Sequence, residues 1–273
     1  MIIRNNRQVK HIYHDGKLVK ERYRNGKLVH KEEQGGEDNY TLRFTPEGNY
    51  AYINFNGWVS TMNVEYSKDN THWTAITAST TIVSLDKGET LYLRGDNPNG
   101  LSTSTSQYFN IYANSAKICM SGDIMSLIYP LERLNTKIIP RSYCFYKLFT
   151  NNNRSGLYIN ENFKLSAEIL KDYCYAYMFM GFERLNMTPE LPATTLATSC
   201  YQNMFHACES LTTAPQLPAT TLASNCYREM FYACHSLTTA PQLPATTLTG
   251  SCYKSMFHAC ESLTTAPQLP ATT

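Results

Sequence analysis

Nine cysteines and seven histidines are the residues of this 273-residue chain whose chemistry is easiest to name. Six of the cysteines form three pairs eight apart, Cys200/Cys208, Cys226/Cys234 and Cys252/Cys260, with His206 and His258 two residues before the second member of their pairs. Thiolate and imidazole together would be zinc ligands, but the spacing opposes it. Eight residues of helix rise about 12 Å, so two such sulfurs cannot share one zinc at about 2.3 Å. A disulfide needs Cα atoms closer than about 7 Å. Tyr232 stands where the third histidine would be. The cysteines therefore read as small buried apolar residues and free thiols, in keeping with a reducing compartment. No metal, cofactor or disulfide is expected. The chain also lacks a Gly-rich phosphate loop, G-x-S-x-G, H-E-x-x-H and an EF-hand loop, so a protein that is not an enzyme is expected.

The elements that must position these residues are repeats. LPATTLATSCYQNMFHACESLTTAPQ from Leu191 recurs nearly verbatim from Leu217 and Leu243, a period of 26. Upstream, Cys174, Phe179 and Leu185 fall in register with Cys200, Phe205 and Leu211, and Cys144 and Phe149 lie one unit earlier at a spacing of 30. Within a unit, Tyr201, Met204, Phe205, Cys208 and Leu211 have helical spacing and predict one apolar stripe. Thr-Thr-Ala-Pro-Gln-Leu-Pro then forces an extended path, because proline cannot continue a helix. One unit cannot bury its stripe alone, whereas stacked units share a core. The expectation is a solenoid of about five units over 129–273, helical or 3-10 on one side and extended on the other.

The differences between copies say more than the identities. They fall at Gln202, Asn203, His206 and Glu209, at Arg228, Glu229, Tyr232 and His235, and at Lys254, Ser255, His258 and Glu261. On a helix these offsets share one face opposite the stripe, which is either a solvated face free to drift or a face that meets a variable partner. The pattern Phe205-x-x-Cys208-x-x-Leu211 followed by Leu217-Pro218 resembles the BspA-type leucine-rich repeats of bacterial surface proteins, and the CYxxMFxxCxSLTTAPxLPATTL variant looks like repeats of gut Bacteroidales and their phages. The family's unit is a few residues shorter. The resemblance implies a leucine-rich-repeat-like fold and attachment to a host cell-surface protein or glycan.

Two further regions precede the repeats. Residues 1–36 show a ten-residue period, with Asn5-Asn6, Asp15-Gly16 and Asn25-Gly26 as two-residue turn signals between strands. Tyr13, Leu18, Val19, Tyr23, Leu28 and Val29 are the candidate anchor residues of this four-stranded meander, which has too few apolar side chains to be more than marginally stable alone. Nine Lys/Arg against four Asp/Glu in residues 1–33 make it basic, whereas the whole chain carries only +2. It resembles short hairpin repeats at the start of some phage and bacterial surface proteins, and is read as an anchor for self-association or for a virion assembly protein. Residues 37–128 carry about seven short alternating runs separated by turn clusters, which predicts an antiparallel β-sandwich. Within it, Trp58 and Trp73 are candidate sugar platforms that more often pack, and Arg94-Gly95-Asp96 is an adhesion tripeptide that chance readily supplies.

The composition narrows the function. Twenty tyrosines favour binding surfaces. A net charge of +2 is too weak a field to imply nucleic acid, and no apolar run reaches the 18 residues of a membrane span. The expected class is mainly β with a repeat solenoid. The expected function is a structural, adhesive phage virion protein, a fibre or appendage, made in the host cytoplasm because the N-terminus lacks a signal-peptide core. A bacterial surface or secreted adhesin and an intracellular protein-binding scaffold are the alternatives.

Overall fold

The computed structural model describes residues 7–14, 17–24, 27–33, 40–57, 62–77, 80–130, 133, 135–150 and 156–270. Strands make up 24% and helix 2% of the molecule. Three strands, β1 (Arg7–His14), β2 (Lys17–Arg24) and β3 (Lys27–Glu33), form one antiparallel sheet in the order β1-β2-β3. Its register places Tyr13 opposite Leu18, Ile12 opposite Val19 and Tyr23 opposite Leu28, and a shift leaves Val29 unpaired at a bulge. The three turn dipeptides and the first strand of the expected four lie outside the described residues, as does Trp58.

Nine more strands follow: β4 (Leu42–Pro46), β5 (Ala51–Asn56), β6 (Val64–Ser67), β7 (Thr74–Ala75), β8 (Thr80–Leu85), β9 (Leu91–Gly95), β10 (Asn110–Ala113), β11 (Ile118–Asp123) and β12 (Leu157–Lys164). They form a three-stranded sheet, β10-β5-β8, and a six-stranded one, β12-β11-β4-β9-β6-β7. Alternation of apolar residues puts Leu42 and Phe44 of β4, Ile53 and Phe55 of β5, and Leu91 and Leu93 of β9 in one core. That core continues without a break into the repeats as far as Cys260.

The sheet departs from the sequence reading at its edge. β12 pairs parallel with β11, so the larger sheet is mixed and not antiparallel. This strand comes from inside the repeat array, between Phe149 and Cys174, and its chain accounts for the longer spacing of 30 there. Two glycines permit the junction. Gly122, at φ +86 and beside the register shift between Met120 and Gly122, lies so close to the Thr41 carbonyl that a Cβ would clash. Gly156 lies as tightly against the Ala116 carbonyl.

The expected leucine-rich-repeat-like solenoid with a helical side is overturned as well. Two percent helix cannot supply a helical leg to five units; among the described residues, strand pairing between successive repeats takes the form of single parallel bridges such as Ile169 with Thr195 and Thr213 with Thr239. The stripe residues instead lie on a run of consecutive β-turns. Gln202, Met204, His206 and Cys208 each donate their backbone N–H three residues back, to Ser199, Tyr201, Asn203 and Phe205 at 3.1–3.3 Å. The alternate residues Tyr201, Asn203, Phe205 and Ala207 donate to the next repeat, to Cys226, Arg228, Met230 and Tyr232 at 2.8–3.0 Å. Every fourth residue is left-handed: Ser199, Asn203 and Ala207 have φ of 55°, 53° and 57°, and their counterparts do the same. A helix sends every N–H to i−4 within its own segment; here half of them tie one repeat to the next.

Packing explains why the turns win. Phe149, Phe179, Phe205, Phe231 and Phe257 stack with successive centroids 5.6–5.7 Å apart. Phe145, Tyr175, Tyr201, Tyr227 and Tyr253 form a second column at 5.7–5.8 Å. The thiols of Cys208, Cys234 and Cys260 donate to the carbonyls of Phe179, Phe205 and Phe231 at 3.2, 3.0 and 3.0 Å. Left-handed backbone costs about 1–3 kcal/mol at a non-glycine residue, and these columns and inter-repeat bonds offset it.

Candidate binding face

Turns with every second N–H directed to a neighbour bring the same position of successive repeats side by side. The residues that differ between copies are thereby collected in rows. His206, Tyr232 and His258 form a ladder of stacked rings, with centroids 4.7 and 4.8 Å apart. Beside it, the Asn203 amide nitrogen donates to Glu229 Oε2 at 3.0 Å and reaches His206 Nδ1 at 2.9 Å. Because that nitrogen is only a donor, His206 Nδ1 accepts, and the neutral ring carries its proton on Nε2. Arg228 Nε donates to Glu229 Oε1 at 3.0 Å. Gln202 Nε2 donates to the Tyr177 hydroxyl at 3.2 Å.

Burial sets the electrostatics. Asn203 is 3% exposed, and its Oδ1 is buried without a partner. The Asn203 amide, aided by Arg228, holds the Glu229 carboxyl below the usual carboxylate range against the opposing effect of burial. Burial pushes the His206 imidazole down, and the nearby Glu229 charge resists. The face thus presents a neutral His206 and an ionised Glu229 among ring faces, donors and acceptors at pH 7.

Of the twelve candidate residues, the structure joins Asn203, His206, Arg228, Glu229, Tyr232 and His258 into contacting pairs, and Gln202 bonds Tyr177 beside them. Lys254 and Ser255 are exposed in the corresponding row of the last repeat. Glu209, His235 and Glu261 are exposed in the segment after the turns, outside the network. The helical offset that grouped all twelve therefore fails for the last position of each unit. Of the anchor residues, Tyr13, Leu18, Val19, Tyr23, Leu28 and Val29, the backbone pairing alone is described. Arg94 of the adhesion tripeptide is engaged by its neighbours, bonding Glu65 at 2.7 Å and lying 4.0 Å above the Trp73 ring.

A tyrosine cluster that the sequence reading missed extends the face toward the sandwich. Lys147 Nζ lies 5.0, 5.4 and 5.7 Å from the Tyr108, Tyr146 and Tyr177 rings. Tyr143 stacks on Tyr173 at 4.9 Å, nearly parallel. Lys147 and Tyr177 occupy the row of Asn203 and Glu229, as the backbone bond from Lys147 to Ala176 and the bonds of Tyr177 to Gln202 and Asn203 to Arg228 show. The signal lay in the register of the two degenerate units, which carry Tyr143 and Tyr173 where the clean units carry Ser199, and Lys147 and Tyr177 where they carry Asn203.

Nothing in this face activates a nucleophile. Burial pushes the Cys226 thiol up to about 11 and the Cys234 thiol up to about 12, so both stay protonated. Among the described residues no three His, Cys, Asp or Glu side chains gather to hold a metal ion, and no helix is long and apolar enough to cross a membrane. Comparison of the chain with known proteins found no matching family model, no matching curated protein and no matching solved structure.

Proposed function

We propose that this protein is an adhesive structural protein that attaches a particle or surface to a host cell through its repeat face. The observation that carries this reading is the convergence of the positions that differ between copies into one network, His206–Tyr232–His258 with Asn203, Arg228 and Glu229, while the residues beneath are repeated. Stacked rings and pre-paired charges present contact area whose side-chain entropy is already spent. The N-terminal basic sheet serves as the anchor, for a second copy or an acidic assembly protein. The resemblance to repeats of gut Bacteroidales and their phages supports a phage fibre or appendage located in the virion; the same resemblance supports a bacterial cell-surface adhesin as the second reading.

Attachment of the purified chain to gut Bacteroidales cells, read by flow cytometry, tests the first part. Replacing Arg228, Tyr232 and His258 together by alanine should lower attachment at least about tenfold, since aromatic and arginine residues dominate binding energy. Unchanged attachment would remove the face from the reading. Mass spectrometry of purified particles tests the setting: the protein should be in them, and deletion of residues 1–33 should remove it. Recovery from the bacterial envelope instead would favour the adhesin.

A further inference from the structure

A second site lies where the sandwich meets the first repeats; it shares Tyr143 with the tyrosine cluster but none of Arg228, Tyr232 and His258. A groove of about 430 Å³ is lined by Asn99, Thr103, Pro140, Arg141, Ser142, Tyr143 and Lys171. We propose that it binds an acidic saccharide, a sugar bearing a carboxylate or sulfate.

The charge of the groove comes first. Both ionisable side chains that line it besides Tyr143 are cationic, Arg141 and Lys171. Elsewhere in the molecule Lys68, Arg94, Lys117 and Arg228 each hold a carboxylate within 3.0 Å. Among the described residues neither Arg141 nor Lys171 has one. Asp172, the adjacent carboxylate, accepts the Thr198 N–H at 2.9 Å, and its charge reaches Tyr143 but pairs with neither cation, so two positive charges stand against one negative at the groove. Two cations without an ion-pair partner among the described residues leave the groove with a net positive lining, which favours an anion.

The neutral groups then select a polyol. Arg141 Nη1 donates to Asn99 Oδ1 at 3.0 Å, which occupies that oxygen and leaves the amide nitrogen to donate. Thr103 Oγ1 donates to Gln107 Oε1 at 3.0 Å, so its lone pairs remain to accept. The Ser142 hydroxyl adds another donor and acceptor. The volume lies within the about 300–1,000 Å³ of small-ligand sites, more than a bare inorganic anion fills. Only Pro140 and the Tyr143 ring offer apolar surface, which suits a sugar's C–H face and not a lipid chain.

The groove is also set before a ligand arrives. Tyr143 is fixed by Tyr173 stacked at 4.9 Å and Tyr146 edge-on at 5.7 Å. The loop that carries Asn99 is pinned by the Leu101 N–H to Cys144 carbonyl bond at 3.0 Å and the Gly100 N–H to Asn97 carbonyl bond at 2.8 Å. Binding then spends little on ordering these side chains.

Isothermal titration of the full chain with oligogalacturonate, chondroitin sulfate oligosaccharide, maltotetraose, a phosphoserine peptide and inorganic phosphate tests the assignment. An acidic saccharide should bind, with uronate and sulfate arms telling which acid group is preferred, and maltotetraose and phosphate should not. Arg141→Gln and Lys171→Gln, both at exposed positions, should each weaken binding at least about tenfold, the loss of one charge-assisted contact; Lys87→Gln should leave it unchanged. Tyr143→Ala should also abolish it, with the circular dichroism spectrum checking that this stacked residue's loss has not unfolded the chain. Binding of no acidic saccharide, equal binding of maltotetraose, preference for the phosphopeptide, or indifference to Arg141→Gln and Lys171→Gln would each overturn the proposal. Cell attachment through Arg228, Tyr232 and His258 would stand whichever of these occurred.

Discussion

The sandwich and the repeats bury similar residues by different backbone logic. In β5, Ala51, Ile53 and Phe55 reach the core because strand neighbours alternate sides, and each pairs at full extension with β8, Ile53 opposite Val83 and Phe55 opposite Thr81. In the repeats, Tyr201, Met204, Phe205 and Cys208 reach the core at spacings of one, three and four, on turns whose every second N–H crosses to the next copy. Phe55 has one stacked partner, Phe109 at 6.2 Å, whereas Phe231 has two, Phe205 and Phe257 at 5.6 and 5.7 Å. Periodicity in the sequence becomes continuity in the core, and it also aligns whatever varies on the outside.

The largest effect should come from breaking a column. Phe231→Ala should cost about 3–5 kcal/mol in urea unfolding, and Phe55→Ala a similar amount. Hydrogen exchange should separate them. Losing Phe231 should loosen residues 226–260 first, because repeats hold one another through nearest neighbours, while losing Phe55 should loosen the amides of β5, β8 and β10. Phe257→Ala, in the half-buried last ring, should cost clearly less than Phe231→Ala. Equal costs and one common exchange pattern would mean that the two regions unfold as a single unit.

These same residues mark what could be read from the sequence. The phenylalanine register was visible because identical segments 26 apart must sit in equivalent places. The strands of the sandwich were visible because period-two alternation has one meaning in a short run bounded by turns. The helix was misread for a physical reason: spacings of three and four satisfy either a helix or a ribbon of β-turns with a left-handed residue every fourth position. Only the inter-repeat hydrogen bonds distinguish them, and Asn203 among Ser199 and Ala207 is a faint sign of positive φ. The parallel strand β12 was hidden because its partner β11 lies about forty residues away. The tyrosine cluster was hidden because Tyr108 joins it from the sandwich.

A thiol sharpens the comparison at the next scale. Cys234 is buried and donates to the Phe205 carbonyl at 3.0 Å, whereas half-buried Cys119 in β11 lies 3.8 Å from the Met120 carbonyl. Cys234→Ala should cost about 1–2 kcal/mol and Cys119→Ala less than about 0.5 kcal/mol. Alkylation of the native protein should be slow at all buried thiols, and denaturation without reductant should release nine. A smaller mass gain would reveal a disulfide.

Backbone conformation predicts a change of sign. Ala233 has φ +54 and donates its N–H to the His258 carbonyl at 2.8 Å. Glycine there removes a steric cost of about 1–2 kcal/mol and adds about 0.5–1 kcal/mol of chain entropy loss, so Ala233→Gly should leave stability unchanged or raise it by up to about 1.5 kcal/mol. Ala51→Gly in β5 gains no such relief and should destabilise by about 1 kcal/mol. Thermal melts of the two variants decide it, and destabilisation by both would argue against left-handed turns in the repeats.

The smallest effect is electrostatic and again opposes the two regions. Burial raises the Asp123 carboxyl above its ordinary 3.8, although it accepts the Met125 N–H at 3.0 Å. The folded state therefore binds the proton more tightly than the unfolded chain, and this group's contribution to stability falls as pH rises from 3.8 through the folded value. His206 behaves in the other direction. Burial lowers its imidazole below 6.5, so the unfolded chain binds the proton more tightly. Its contribution is fully present above pH 6.5 and is lost as pH falls through the lower folded value. Glu229, lowered by Asn203 and Arg228, adds loss of the same sign below 4.5. Stability measured between pH 7 and 5 should therefore decline with acid in the native chain. In His206→Gln, which keeps a polar planar group beside Asn203 and Tyr232 but cannot titrate, that decline should be shallower. Asp123→Asn removes a contribution of the opposite sign and should therefore steepen the decline from the raised folded value down toward pH 3.8. A decline of equal slope in His206→Gln would show that the ring ladder does not hold His206 in its neutral form, and the face would then carry a cation where the structure places an acceptor.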